Sequence, residues 1–529
     1  MLKDLDKKAE SPGKEALKAE IKELRARLTG LQESIKEAKI PIIVLVEGWA
    51  AAGKGTLINE LISEIDPRFY KVMSSVFTPD AESRYPFLYP YASAIPENGK
   101  ILFMDGGWME DAVRKYLRRE ITERQYRDRI REINEFERQL RDGGYVILKI
   151  FLHIDEKEQT KRLARLLDES ETEWRVTQDD LWQHREYDAF YDAYDKFMDK
   201  TTETVKWYVM DGGRRRLMVR DALRLMVKKV EKVLERGRYV GKPFREDFPL
   251  LKMPLLADVD LSPAIPDAEY RAELKDLQKR LGRLHNIIYR KKIPVLLCFE
   301  GWDAAGKGGN IRRLTYPLDP RGFDVIPIAS PLPHELARQY LWRFWTKVPR
   351  SGHFAIFDRT WYGRVMVERL EGFCAEADWK RAYNEINEFE RCLTDWGAVV
   401  LKFWIHIDQD TQLARFTARQ NTPEKQWKIT DEDWRNREKW PQYEEAVNEM
   451  LQKTSTENAP WHIIESNDKK YARIKVLRIV INALQAAVDG QLKRDLKNDR
   501  AARRDTSWRR KTKNRKRPHP PRRVRRRRR

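Results

Sequence analysis

Residues 299–314, FEGWDAAGKGGNIRRL, contain the residue types needed to grip a phosphate. Gly301, Gly306, Gly308 and Gly309 allow a tight bend and a close approach of backbone to ligand. The N–H groups of such a turn, those of Ala304 and Ala305 included, face an anion at the positive end of the helix that follows. Lys307 adds a point charge that can follow a phosphoryl group as it moves. The spacing Gly301-x-x-x-x-Gly306-Lys307 fits the phosphate-loop pattern, but Gly308 stands where a Ser or Thr would hold magnesium. Asp303, inside the loop, is the candidate to hold the metal instead. A second carboxylate, Asp358, ends the apolar run 354–357. The carboxyl end of a parallel strand is where a phosphate-loop enzyme places its magnesium aspartate. Arg359 and Arg364 follow at once, and paired guanidinium groups suit phosphate oxygens. Arg312, on the helix after the loop, is a further phosphate-facing candidate. Arg415 and Arg419 are four apart, on one helix face, and Lys425 follows Pro423. Together they make a basic flap that can close over the site and exclude water.

These residues need a scaffold. The apolar run 293–298 before the loop reads as a buried parallel strand, and a helical pattern follows it. A Pro-rich connection, 326–333, leads to the strand 354–357. A helix carrying Glu385 to Arg391 (EINEFER) and another buried strand, 398–407, come next. Strands alternating with helices predict an α/β fold with a parallel sheet covered on both faces. The same order occurs earlier in the chain. Glu47–Gly55 (EGWAAAGKG) matches residues 300–308, Glu132–Arg138 is again EINEFER, and His153-Ile154-Asp155 matches His406-Ile407-Asp408. A constant offset of 253 means two copies of one domain. An amphipathic helix opens each copy, with apolar positions from Ile21 to Ile35 and from Leu274 to Ile288. The expected division is a first copy over 1–248, a linker over 249–266 with Pro249, Pro254, Pro263 and Pro266, a second copy over 267–500, and a disordered basic tail over 501–529.

Aligned at that offset, the first copy keeps Lys54, Asp105 and Arg162, and a cation persists as Arg175 opposite Lys428. Asp303 becomes Ala50, Arg312 becomes Asn59, Arg359 becomes Gly106, Arg364 becomes Asp111, Arg419 becomes Leu166 and Lys425 becomes Thr172. A site for a highly charged anion does not survive those losses, so catalysis is expected in the second copy, with the first as a structural partner.

The chain of 529 residues has a net charge of +21. From Arg503 to Arg529 there are 16 Lys and Arg against one acid, so the tail carries +15 and the body +6. The high charge therefore says little about the folded domains as a nucleic-acid surface, and nucleic acid is expected as a partner only through the tail. No apolar run approaches a membrane span. The charged start of the chain lacks a signal peptide's apolar core. Cys298, Cys374 and Cys392 have no metal spacing and fit a reducing cytoplasm.

The loop GWDAAGKGG, the stretch FDRTWYGRVMVERL, EINEFER and the flap R-F-x-x-R…K-x-W-K resemble the polyphosphate kinase 2 family. The tandem arrangement is similar to its two-domain class II members. The resemblance spans nearly all of the chain except the tail. It implies two tandem P-loop kinase-like domains, each with a lid, and transfer of a phosphoryl group from inorganic polyphosphate to AMP, giving ADP. It further implies a magnesium cofactor and a basic channel for polyphosphate. The family's functional positions fall on Asp303, Lys307, Asp358, Arg359, Arg415, Arg419 and Lys425. Ala50 and Gly106 depart from the pattern, which puts activity of the first copy in doubt. Polyphosphate-dependent phosphorylation of nucleoside diphosphates, an ATP-dependent nucleotide kinase and a non-catalytic polyanion-binding protein stay open, as does a homo-oligomer.

Overall fold

A computed structural model describes residues 1–5, 12–74, 84–237, 248–429 and 431–515. The side chains of residues 4, 425, 427, 428, 432 and 493–515 lie outside that description. The front copy holds strands β1 (Ile42–Gly48), β2 (Tyr70–Ser74), β3 (Ile101–Asp105), β4 (Val146–His153) and β5 (Trp207–Asp211), ordered β2-β3-β1-β4-β5. The back copy repeats this with β6 (Val295–Gly301), β7 (Phe323–Pro327), β8 (Phe354–Asp358), β9 (Val399–His406) and β10 (Trp461–Glu465), ordered β10-β9-β6-β8-β7. Every pairing is parallel. The central strands β1 and β6 are covered on both faces, and Val295 to Phe299 are fully buried, which is why both read as unbroken apolar runs. The edge strands β2 and β7 have largely exposed side chains, so their short mixed sequences did not announce them.

The order of strands places the loop. β6 lies between β8 and β9, so connections leave its carboxyl end toward both sides, and a crevice opens there. Gly301 closes β6 with φ of 146°, and a Cβ there would lie 2.4 Å from the Ile405 carbonyl oxygen, so only glycine fits between the two strands.

Beneath this crevice lies a buried charge. Lys402, on β9, donates to Glu390 Oε2 (2.7 Å), to Tyr362 Oη (2.8 Å) and to the Thr454 carbonyl (2.6 Å). Glu390, from the helix Glu376–Asp395, also accepts from Trp361 Nε1 (3.0 Å) and Tyr362 Oη (2.7 Å). Both charged groups are fully buried, and burial lowers the Lys402 pKa. The front copy repeats the pair as Lys149 and Glu137, 2.7 Å apart.

The two copies pack about a local two-fold. Arg138 pairs with Glu388, and Arg391 pairs with Glu135 at 2.5 Å; each contact is the other shifted by 253 residues. The Asn98 N–H donates to the Ala337 carbonyl (2.7 Å), and its mate, the Ser351 N–H, donates to the Arg84 carbonyl (2.8 Å). The helices Glu123–Asp142 and Glu376–Asp395, which carry the two EINEFER segments, therefore face each other as an isologous contact within one chain.

The segment expected as a linker is a strap rather than a free connector. The Leu251 N–H donates to the Ser455 carbonyl (2.7 Å), Gln452 Nε2 donates to the Met253 carbonyl (2.6 Å), and Leu256 is buried. The expected disordered tail is also corrected in part. The last helix runs Lys469–Arg515, so residues 501–515 are helical backbone. No Gly or Pro interrupts the Lys- and Arg-rich sequence between Gly490 and Pro518, and those residues are strong helix formers. Residues 516–529 lie outside the described residues.

Lys402→Met would leave Glu390 buried without its cation and should cost about 3–5 kcal/mol, read as a lower urea midpoint. Adding Glu390→Gln, which keeps an acceptor for Trp361 and Tyr362 but removes the stranded charge, should recover part of the loss.

Candidate active site

The back-copy loop leaves β6 and turns into the helix Lys307–Thr315. Ala304 (φ 61°) and Gly306 (φ 115°) are left-handed, which aims the backbone N–H groups of the turn into the crevice. The resulting cleft, of about 510 Å³, is lined by the loop from Trp302 to Gly309 and by Asp358, Arg359, Arg419, Asp433 and Asn436. It thus brings together Asp303, Lys307, Asp358, Arg359 and Arg419, which lie 116 positions apart at the extremes. Lys307 Nζ donates to the carbonyls of Gly301 (2.5 Å) and Trp302 (3.2 Å). Asp303 is held from both sides, by Arg359 Nη2 on Oδ1 (3.3 Å) and by Asn436 Nδ2 on Oδ2 (3.1 Å).

Arg359 has a left-handed backbone, φ 65°, in a residue type that rarely adopts it. Its N–H donates to the Phe299 carbonyl (3.0 Å), and Thr360 next to it gives both its N–H and its hydroxyl to Glu300 Oε1, each at 2.7 Å. Glu300 is buried, which raises its pKa, and the Thr360 bonds oppose that rise. A strained arginine held by two elements at the rim of a cleft is how functional positions store backbone strain.

Other expected site residues are elsewhere. Arg415 sits behind the loop rather than over it. Its guanidinium donates to the carbonyls of Ala304 (3.0 Å), Ala305 (2.9 Å), Ser466 (2.5 Å) and Asn467 (3.1 Å), so it braces the turn. Burial, with Arg419 beside it, pulls the Arg415 pKa down to about 10. Arg364 is outside the cleft: it pairs with Glu368 (2.8 Å) and lies over the Tyr340 ring. In the front copy the same two positions hold Asp111 and Lys115, an ion pair of reversed sign, so the exchange of Arg364 for Asp111 swaps a pair. Arg312 is exposed on the helix outside the lining. The backbone of Lys425 lies in the 3₁₀ turn Pro423–Lys428, and its side chain lies outside the described residues. Asn436 and Glu300 were missed from sequence. An Asn in a polar helix, 133 positions from the aspartate it holds, carries no local signal.

The front cleft is larger, about 1540 Å³, and differently charged. Burial works against the charge of Lys54, yet Glu110, Asp105, Asp180 and Glu47 together hold its pKa above the ordinary lysine value. The loop lysine is thus matched by the protein's own carboxylates. Ala50, in place of Asp303, gives its N–H to Gln183 Oε1 (2.7 Å). Arg114 pairs with Asp179 at 2.7 Å and Arg118 pairs with the same carboxylate, tying the helix Trp108–Leu117 to the helix Gln178–Arg185. Val367 and Glu371 replace these arginines in the back copy.

A sequence model of the family described as polyphosphate kinase 2 matches residues 12–236 and again residues 264–491. A polyphosphate:AMP phosphotransferase of Pseudomonas aeruginosa is 39% identical over 470 residues, covering 88% of this chain and 95% of that protein. A protein of the same name from Acinetobacter johnsonii is 37% identical over 451 residues, covering 85% and 92%. A crystal structure from Pseudomonas aeruginosa, described as a polyphosphate kinase 2, superposes with a TM-score of 0.79 at 37% identity, covering 91% of this chain and 98% of that one.

Glu47 gives the front copy a pH signature. Burial first, then Glu110, pushes its carboxyl up to about 8 from 4.5. Between those values the folded state binds the extra proton, so this contribution is complete below about 4.5 and is lost as pH rises through about 8. The melting temperature should fall from pH 6 to pH 9, and Glu47→Gln, which stays neutral, should flatten that slope.

Proposed function

The chain belongs to the polyphosphate kinase 2 family, and from that premise we propose that its back copy transfers a phosphoryl group from inorganic polyphosphate to AMP, forming ADP. The observation that carries this reading is the gathering of Lys307, Arg359 and Arg419 with two carboxylates, Asp303 and Asp358, around one phosphate loop. Likeness to polyphosphate:AMP phosphotransferases over most of the chain supports the choice of substrates.

Donor and acceptor are both anions, so the barrier is mainly repulsion and positioning. An oxygen of the AMP phosphate attacks the terminal phosphorus of polyphosphate. The new P–O bond forms as the bridging P–O bond breaks, and the electron pair leaves with the shortened polymer. The AMP phosphate is largely deprotonated at neutral pH, so no general base is needed. The loop N–H groups and Lys307 hold one phosphate. Charged phosphate oxygens compete well for the Lys307 donors now given to two neutral carbonyls. Arg359 and Arg419 face the transferring group from the other walls, while Arg415 and Glu300 keep the loop and the Arg359 turn in place.

The carboxylates fit a hard divalent cation. Magnesium takes one or two carboxylates and completes its shell with water and phosphate oxygens. Asp303 and Asp358 are the carboxylates that would hold it, beside the loop and at the end of β8, with Asp433 on the same cleft wall. Bound there, magnesium would supply charge neutralisation across the phosphate oxygens. Three unpaired cysteines fit a cytoplasmic setting, and no helix among the described residues is long and apolar enough to cross a membrane.

Incubation with polyphosphate, AMP and magnesium, with no ATP present, should yield ADP; absence of ADP sinks the proposal. Lys307→Ala should abolish turnover. Arg359→Gly copies the front-copy residue and removes a left-handed arginine, so the melting temperature should hold or rise while kcat falls about 10²–10³-fold.

A further inference from the structure

Outside both clefts, the front copy has a groove of about 800 Å³ between its opening helix, Lys14–Glu37, and the start of the helix Arg215–Arg236. Lys14, Lys18 and Lys22 line one wall at four-residue spacing, about 6 Å apart along the axis. Arg25 continues that row, and Arg214, Arg215 and Arg216 form the facing wall. Among the described residues two carboxylates, Glu60 and Glu64, line it with these seven cations. Glu60 is already shared by Arg25 and Arg215. Among the described residues Lys14, Lys22 and Arg216 make no ion pair, and all three are exposed.

The back copy shows that the fold does not require this charge. At the seven corresponding positions it has Asp267, Arg271, Lys275, Gln278, Asn467, Asp468 and Lys469, three cations and two carboxylates. The front copy, which gave up cations at its loop, has concentrated them here. Like charges held this close repel unless an anion lies between them. Leu17, Ile21 and Val219 line the groove with aliphatic surface, and among the described residues no aromatic side chain does, so none of them offers a face for stacking a base. Arg215 borders both this groove and the front cleft, so the basic surface runs on to the cleft mouth.

We propose that this groove docks inorganic polyphosphate, holding the polymer on the front copy outside the catalytic cleft. The identity of the anion rests on the phosphoryl-donor reading above. The row of cations binds a linear polyphosphate through its backbone charge alone, and each phosphate contact releases a counterion.

The test uses the full chain carrying Lys307→Ala, so that no turnover consumes the probe, and measures binding of long-chain polyphosphate by calorimetry. Adding Lys14→Gln, Lys22→Gln and Arg216→Gln should weaken binding at least about tenfold at low salt and lower the salt slope by about three, one for each cation removed. The melting temperature should stay the same. With Lys307 intact, the triple variant should raise KM for long-chain polyphosphate and leave kcat unchanged. Unaltered binding in the triple variant overturns the proposal. So does equally tight, groove-dependent binding of a single-stranded oligonucleotide, which would make this a nucleic-acid face. If the parent chain forms no ADP yet loses polyphosphate binding through these three substitutions, the groove stands and the catalytic reading falls.

Discussion

A lysine and a glutamate buried together set the frame for everything above them. Two ions removed from water are tolerated only when their geometry and remaining hydrogen bonds are satisfied. In the back copy Lys402 and Glu390 meet that condition by enlisting Trp361 and Tyr362, three and four residues after Asp358. The charge thus fixes β9, the helix Glu376–Asp395 and the chain leaving β8 against one another. The same helix turns Glu388 and Arg391 outward to the sister copy. One helix therefore serves the sheet, the approach to the cleft and the contact between copies. That triple duty accounts physically for the seven identical letters in both halves.

Much of this was legible in the sequence. Central strands, the glycine-rich turn and the tandem repeat come from local patterns, and the structure has them. Asp303, Lys307, Asp358, Arg359 and Arg419 do converge on one cleft. What could not be read was which cations face it. A sequence shows that Arg364 and Arg415 are charged and near the motifs. It does not show that one is spent on Glu368 and the other on four carbonyls. Edge strands and the partner residue Asn436 were hidden for the same reason, because their roles depend on neighbours far away in the chain.

The two copies show how far a cleft can change its charge on one unchanged fold. Their sheets share one strand order, and both keep the loop lysine and the aspartate at the end of the third strand. The difference is electrostatic. Lys54 is enclosed by carboxylates of its own domain, whereas Lys307 rests on neutral carbonyls that a phosphate can displace. Gly106 adopts the left-handed backbone without the cost that Arg359 bears at the same place.

The local two-fold between the copies has a further meaning. In an assembly of identical subunits each substitution occurs at both related positions, so any weakening of the interface is doubled and any loss of a catalytic group is total. Joining the halves into one polypeptide removes that coupling. Glu135 and Glu388 can keep their reciprocal partners while Ala50 and Asp303 diverge, because each now has its own codon. Fusion also fixes the ratio of the two kinds of copy at one to one, independent of protein concentration.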